Sequence, residues 1–385
     1  MLCAIRSVFL CTVLFATPVF AQDAALGLTA PTSSTSDRVF YDPNNLKPEG
    51  NLTLGLWYSQ AESVSGTLGI EQEGVFGTDE NFRLGLEASS YTQTAQITLT
   101  DPDFFESAYS RQLSLSMYNI QPNRAQNGTF SFSGIEGTIS FGRQFTEELS
   151  LSFGGGLGRI RTEQNVNLPD FIQNYISLEG EKNNKSFAFL HLLYDRTDKT
   201  AYPLEGYRVG MTNELGSVGG TAYLKSQVRG SYFVKASERT GIRVHGNVGL
   251  ANTLGSGAFP IFENFYAGGP GSVRGYGQNT LGPTSNIPNQ TSRAYTGGMF
   301  NVVGGIEVST RLGDRDDLYA LGFYDIGNVF ASGASFDSTE LRSSIGVGVR
   351  WDSPIGALNV YMAKPINNRA NDNVEQLQFT LGAHF

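Results

Sequence analysis

Between Glu375 and Phe385 apolar and polar side chains take turns. Leu377, Phe379, Leu381, Ala383 and Phe385 fall on one face, and Gln376, Gln378, Thr380 and His384 on the other. A period of two marks a β-strand with two unlike faces. Gly241 to Ala251 repeats the pattern, with Ile242, Val244, Val248 and Leu250 set against Arg243, His245 and Asn247. So does Ala222 to Val234, where Leu224, Val228, Tyr232 and Val234 oppose Lys225, Gln227 and Arg229. Sixteen segments read as strands: 51–60, 64–74, 81–90, 92–100, 108–119, 129–143, 147–161, 184–195, 206–215, 219–235, 241–254, 302–312, 317–330, 341–352, 355–364 and 375–385. Most run about 9–14 residues, against about 5–6 for soluble strands and about 9–11 for strands that cross a bilayer at a tilt. Alternation alone leaves two architectures open. A secreted sandwich would turn its polar face to water; a membrane barrel would turn its apolar face to lipid and its polar face to a lumen. Strand length favours the barrel.

The connections point the same way. Those after even strands are tight and polar: Glu147-Glu148, Ser237-Glu238-Arg239, Asp314-Arg315-Asp316 and Asp352-Ser353-Pro354. The longest follow odd strands, Arg161 to Asn183 after the seventh and Gly255 to Asn301 after the eleventh. Short periplasmic turns and long external loops are the expected asymmetry of a bacterial barrel, and an even strand count returns both termini to one side. Asp195 to Glu205, after strand eight, is longer than this pattern predicts. No segment of useful length carries a helical period.

Composition then narrows the class. Met1 to Ala21 has one charge, Arg6, an apolar run from Val8 to Ala16, and Val19-Phe20-Ala21 at its end. This reads as a secretory signal peptide over 1–21, its run being shorter than the roughly 20 apolar residues of a spanning helix. Cys3 and Cys11, the two cysteines, lie inside it. The expected mature chain thus has no disulfide, thiolate site or cysteine nucleophile. Residues 22–49 are rich in Ala, Thr, Ser, Asp and Pro and read as a flexible periplasmic leader, too short to bury a core of its own. Residues 50–385 form one barrel domain. Without Arg6, 26 basic residues face 36 acidic ones, a net of −10, which repels nucleic acid. Charged residues make up 16% of the chain, below the usual ~25%, while aromatics reach 12% and glycines number 46. An exported chain with few charges and many aromatics fits a partner that is a lipid bilayer.

The loop after strand eleven contains Phe265-Tyr266-Ala267-Gly268-Gly269-Pro270-Gly271-Ser272-Val273-Arg274-Gly275-Tyr276, followed by Gln278-Asn279-Thr280-Leu281-Gly282-Pro283. Phe323-Tyr324-Asp325-Ile326-Gly327 lies on strand thirteen and Gly305-Ile306-Glu307-Val308 on strand twelve. Ser344 to Gly356 and Gln378-Phe379-Thr380-Leu381-Gly382 complete the set. Together these resemble the BamA/TamA family of outer-membrane assembly barrels, within the bacterial surface antigen superfamily. The resemblance is dense from Pro260 to Phe385 and rests before that mainly on strand layout; Ala357 stands where the family commonly has proline. It implies an all-β, sixteen-stranded antiparallel transmembrane barrel whose loop after strand 11 folds inward. It implies that Val273, Arg274, Gly275 and Tyr276 form the plug-loop motif, with Glu307 and Asp325 as lumenal carboxylate partners and Phe323 and Gly327 completing the strand-13 motif. It also implies a weak seam between the first and last strands, at Gly382 and the terminal Phe385. Arginine suits such a site because its planar fork bonds carboxylates two at a time. Against this stands the plainer reading of Arg274 as part of a glycine-rich external loop, and of Gly382 and Phe385 as an ordinary strand glycine and a girdle aromatic.

Family members usually carry periplasmic polypeptide-transport-associated domains; this sequence has only its leader there and reads as a barrel-only member. Two functions are therefore expected, in order. The first is assembly, insertion or translocation of client outer-membrane or secreted proteins through the seam and plug. The second is a channel or structural barrel that keeps the scaffold without that activity. Neither is enzymatic. His191, His245 and His384 are scattered, and no zinc-protease, nucleophile-elbow or phosphate-loop pattern occurs. Asp101-Pro102-Asp103 reads as an acidic turn, and no metal or cofactor is expected.

Overall fold

The computed structural model describes residues 50–59, 63–75, 78–121, 130–163, 168–198, 203–291, 293–313, 317–353 and 356–384. The expected signal peptide, the leader and Phe385 lie outside them. Sixteen long strands are present: β1 (Gly50–Ser59), β2 (Ser63–Gln72), β3 (Asn81–Ala88), β4 (Thr92–Asp101), β5 (Tyr109–Ile120), β6 (Ser131–Gln144), β7 (Leu149–Glu163), β8 (Lys182–Thr197), β9 (Gly206–Val218), β10 (Thr221–Lys235), β11 (Thr240–Leu254), β12 (Phe300–Arg311), β13 (Leu318–Phe330), β14 (Arg342–Ser353), β15 (Gly356–Pro365) and β16 (Leu377–His384). Each pairs antiparallel with its chain neighbour, and β1 pairs with β16 through Gly55–Ser59 against Thr380–His384, so the sheet is a closed barrel. Closure matters because lipid offers an open edge no hydrogen-bond partner.

The two faces of the wall settle what alternation left open. On β12 the apolar Ile306 and Val308 are 48% and 41% exposed, while Glu307 between them is 7% exposed. On β11 Val244, Val248 and Leu250 are exposed. Lys185, Glu214, Lys225 and Asp325 are buried on the inside. A soluble protein sorts its side chains the other way. Gln378 is buried, as its row predicts, but Gln376 is not. Gln376 precedes the strand, and its backbone oxygen accepts from the Ala363 N–H instead.

One helix corrects the sequence reading. Residues Asp170–Glu179, in the β7–β8 loop, form α1, which ends on Gly180 at φ +81°. Ile172 and Tyr175 point one way at helical spacing and are buried. Ten residues are too few for a helix to persist alone in water. Here the apolar side of α1 packs into a core with Phe130, Phe132, Ile160, Leu168, Val218 and Tyr223 at the long-loop end of the barrel, joined there by Ile261 and Phe262 of the β11–β12 loop.

Candidate functional site

The β11–β12 loop leaves Leu254 and returns at Phe300, and Arg274 within it bonds to residues of β12 and β13. The Arg274 guanidinium donates from Nε to Asp325 Oδ2 at 2.7 Å, from Nη2 to Asp325 Oδ1 at 2.8 Å, and from Nη1 to Glu307 Oε2 at 2.6 Å. Its backbone N–H adds a fourth bond to Asp325 Oδ2 at 3.1 Å. The guanidinium carbon lies 3.5 Å from the centre of the Phe323 ring, a cation–π contact. Arg274 is 5% exposed and Asp325 fully buried. Burial disfavours the Arg274 charge, but the Asp325 hydrogen bonds and the two carboxylates outweigh it and raise its pKa. Arg350 adds a second cation, 3.8 Å from Glu307 Oε1.

Local sequence explains the fit. Phe323, Asp325 and Gly327 share one face because they are two residues apart. Phe323 supplies the ring, Asp325 the carboxylate, and Gly327 the clearance, since a Cβ there would lie 2.7 Å from the Val302 oxygen. Gly275 sits at φ +89°, which favours glycine, and a Cβ on it would come 3.0 Å from Ala363 Cβ. Val273 and Tyr276 are buried with Ala267, Leu281, Val303 and Val329. The Tyr276 hydroxyl donates to the Ser343 oxygen at 3.3 Å, and burial pushes its pKa up to about 12.

The structure thus brings together Val273, Arg274, Gly275, Tyr276, Glu307, Phe323, Asp325 and Gly327. It adds Gln378, a residue of the polar row and of the family-like Gln378–Gly382 segment, as a partner of the loop. Gln378 Nε2 donates to the Tyr276 oxygen at 2.7 Å, and its Oε1 accepts from the Gly275 N–H at 3.2 Å. Gly275 and Tyr276 also pair with Glu375 and Val374. The loop is therefore hydrogen-bonded to the last strand. That strand shares five residue pairs with β1 and five with β15, whereas β10 and β11 share fourteen. Gly382 lies opposite Trp57 in the short β1–β16 ladder.

A second charged cluster was not foreseen. Glu263 of the loop accepts from Lys185 Nζ on β8 at 2.9 Å and from Lys225 Nζ on β10 at 3.0 Å. Lys185 also lies 3.4 Å from Glu136 and 3.8 Å from Glu214. Burial opposes the Glu263 charge, but the two lysines lower its pKa to about 2. Lys225 was legible as an inward position; Glu263 carries no periodic signal.

The histidines stay apart. His191 on β8 bonds Thr212 at 2.8 Å, His245 lies on β11, and His384 is on β16. Asp101 closes its own turn by accepting from the Asp103 N–H. Among the described residues no group of three or more His, Cys, Asp or Glu side chains is placed to hold a metal ion.

The Omp85 superfamily domain matches residues 75–385. The chain belongs to the Omp85 superfamily. This Omp85 barrel is 26% identical, over 92% of its length, to the outer membrane protein assembly factor BamA of Neisseria meningitidis, and 25% identical over 88% to that of Neorickettsia risticii. It spans 49% and 45% of those relatives, about half their length. Its fold is similar to a crystal structure of BamA from Haemophilus ducreyi lacking POTRA domains 1–3, with a TM-score of 0.79 at 20% identity, covering 88% of this chain and 71% of that one. CdiB from Escherichia coli follows at 0.58 and 12%, covering 88% and 64%. The chain is an outer-membrane β-barrel of the BamA/TamA type.

Proposed function

We propose that this barrel assembles or translocates other proteins at the outer membrane, using the β1–β16 seam and the loop anchored by Arg274. Membership of the Omp85 superfamily and likeness to BamA support assembly or translocation at the family level. The observation that carries the finer reading is the shared strand. Gln378 binds the loop at Gly275 and Tyr276, and two residues later Thr380 begins the five-pair ladder to β1. Movement of the loop then changes the support of the strand that closes the barrel. An edge freed at β1 or β16 would present unpaired N–H and C=O groups to lipid, at several kcal/mol each. A client strand that adds to this edge removes the cost by β-augmentation. The role needs no bond-breaking chemistry; its partners are the bilayer and an unfolded client.

Purified protein in liposomes, given a urea-unfolded small barrel as client, tests this. Assembly predicts faster client folding, read as protease protection, than in empty liposomes. Steady ion conductance with no gain in client folding would favour the channel reading and refute this one.

A further inference from the structure

We infer that Glu263 is a second latch of the β11–β12 loop, which holds the long-loop mouth of the barrel shut independently of Arg274. The two anchors grip different parts of the wall. Arg274 reaches β12 and β13, and its neighbours reach β16. Glu263 bridges β8 and β10. They share no partner, and 11 positions separate them along the chain. Residues sharing no contact contribute additively, so neither latch can replace the other.

Position assigns Glu263 its task. Ile261 and Phe262, directly before it, are part of the apolar core at the long-loop end, where Phe262 packs edge-on against Phe132 and Tyr175. Apolar packing is not directional and does not by itself fix where the loop crosses the opening. Two lysines from different strands closing on one carboxylate do fix it. The Lys225 ammonium also lies 5.1 Å from the Phe265 ring, so the segment after the latch is held to the same strand. Glu179 of α1 closes the flank, accepting from the Ala258 N–H and the Thr221 hydroxyl, both at 3.0 Å.

The charge balance makes the latch separable from folding. Glu136, Glu214 and Glu263 face Lys185 and Lys225. Glu263→Gln leaves Lys185 paired with Glu136 and Glu214, while Lys225 keeps only a neutral amide oxygen as acceptor, so the loop loses its ion pairs.

The test is single-channel conductance of the purified full-length protein in planar bilayers, with no client present. It is therefore read independently of the assembly activity, and either can fail without the other. Folding is checked by the heat-dependent gel mobility of the barrel. Glu263→Gln is expected to raise the open-pore probability on the order of tenfold, the scale of a strong pairwise coupling. Lys225→Met should do the same in part, and the two together should add less than their sum, because both cut one ion pair. Glu263→Gln with Arg274→Ala should combine multiplicatively. A folded Glu263→Gln within about twofold of wild type would overturn the inference, since such couplings exceed that change. Should Glu263→Gln fail to fold, a folded and closed Lys225→Met would overturn it as well.

Discussion

Replacing Arg274 by alanine is the most demanding test of the loop anchor. The substitution removes three side-chain bonds to two buried carboxylates and the contact over Phe323. Glu307 keeps Arg350 at 3.8 Å, so Asp325, fully buried, is the group left most exposed to the loss. Removing one partner of a buried pair costs about 3–5 kcal/mol because the other charge is stranded. That free energy belongs to the docked loop, and each 1.4 kcal/mol is tenfold in an equilibrium, so the undocked fraction should rise on the order of a hundredfold or more. Trypsin cleavage after Arg293, an exposed residue of the same loop, reads that fraction when undocking is fast compared with cutting. Arg274→Lys should lie between the two, since a lysine keeps the charge and loses the fork. Cleavage of Arg274→Ala at the wild-type rate would refute the anchor. Equal rates for Arg274→Lys and wild type would show that geometry contributes nothing beyond charge.

Gln378→Ala removes two hydrogen bonds between loop and last strand, a loss of about 1–3 kcal/mol in total; cysteines placed at the register partners Tyr58 and Leu381 should then form less disulfide. The Glu263 latch should be pH-dependent in one direction. Its pKa falls from 4.5 to about 2 in the folded protein, so its stabilisation is whole above pH 4.5 and is lost as pH drops toward 2; conductance should stay flat from pH 8 to 5, then rise on acidification. Val308→Arg puts a charge on the exposed face of β12 and should cost about 2–4 kcal/mol if it meets lipid near mid-bilayer; an unchanged folding yield in liposomes would refute the outward assignment.

Strand positions were legible where segments such as 222–234, 241–251 and 375–385 repeat a two-residue period, a local property. The expected 241–254 is observed as Thr240–Leu254, and 206–215 extends to Val218. The helix was not legible. Ile172, Tyr175 and Ile176 have helical spacing, but a segment this short holds its shape only once Phe130, Phe262 and Tyr223 cover it. At the anchor, Val273-Arg274-Gly275-Tyr276 and Phe323-x-Asp325-x-Gly327 were recognisable by their family resemblance. Their meeting across 51 positions of chain was not visible in either segment.

By itself the sequence determined the period, length and number of the strands, because those depend on which side chains neighbour one another along the backbone. Which face met lipid, which loop carboxylate found which lysine, and that Gln378 grips the backbone of Gly275 and Tyr276 were decided only by the tertiary structure. Curling the sheet into a ring turns one row of every strand inward. Residues as distant as Lys185 and Glu263, or Tyr276 and Gln378, then meet and are buried together. There a buried charge must find a partner, and no local rule names it.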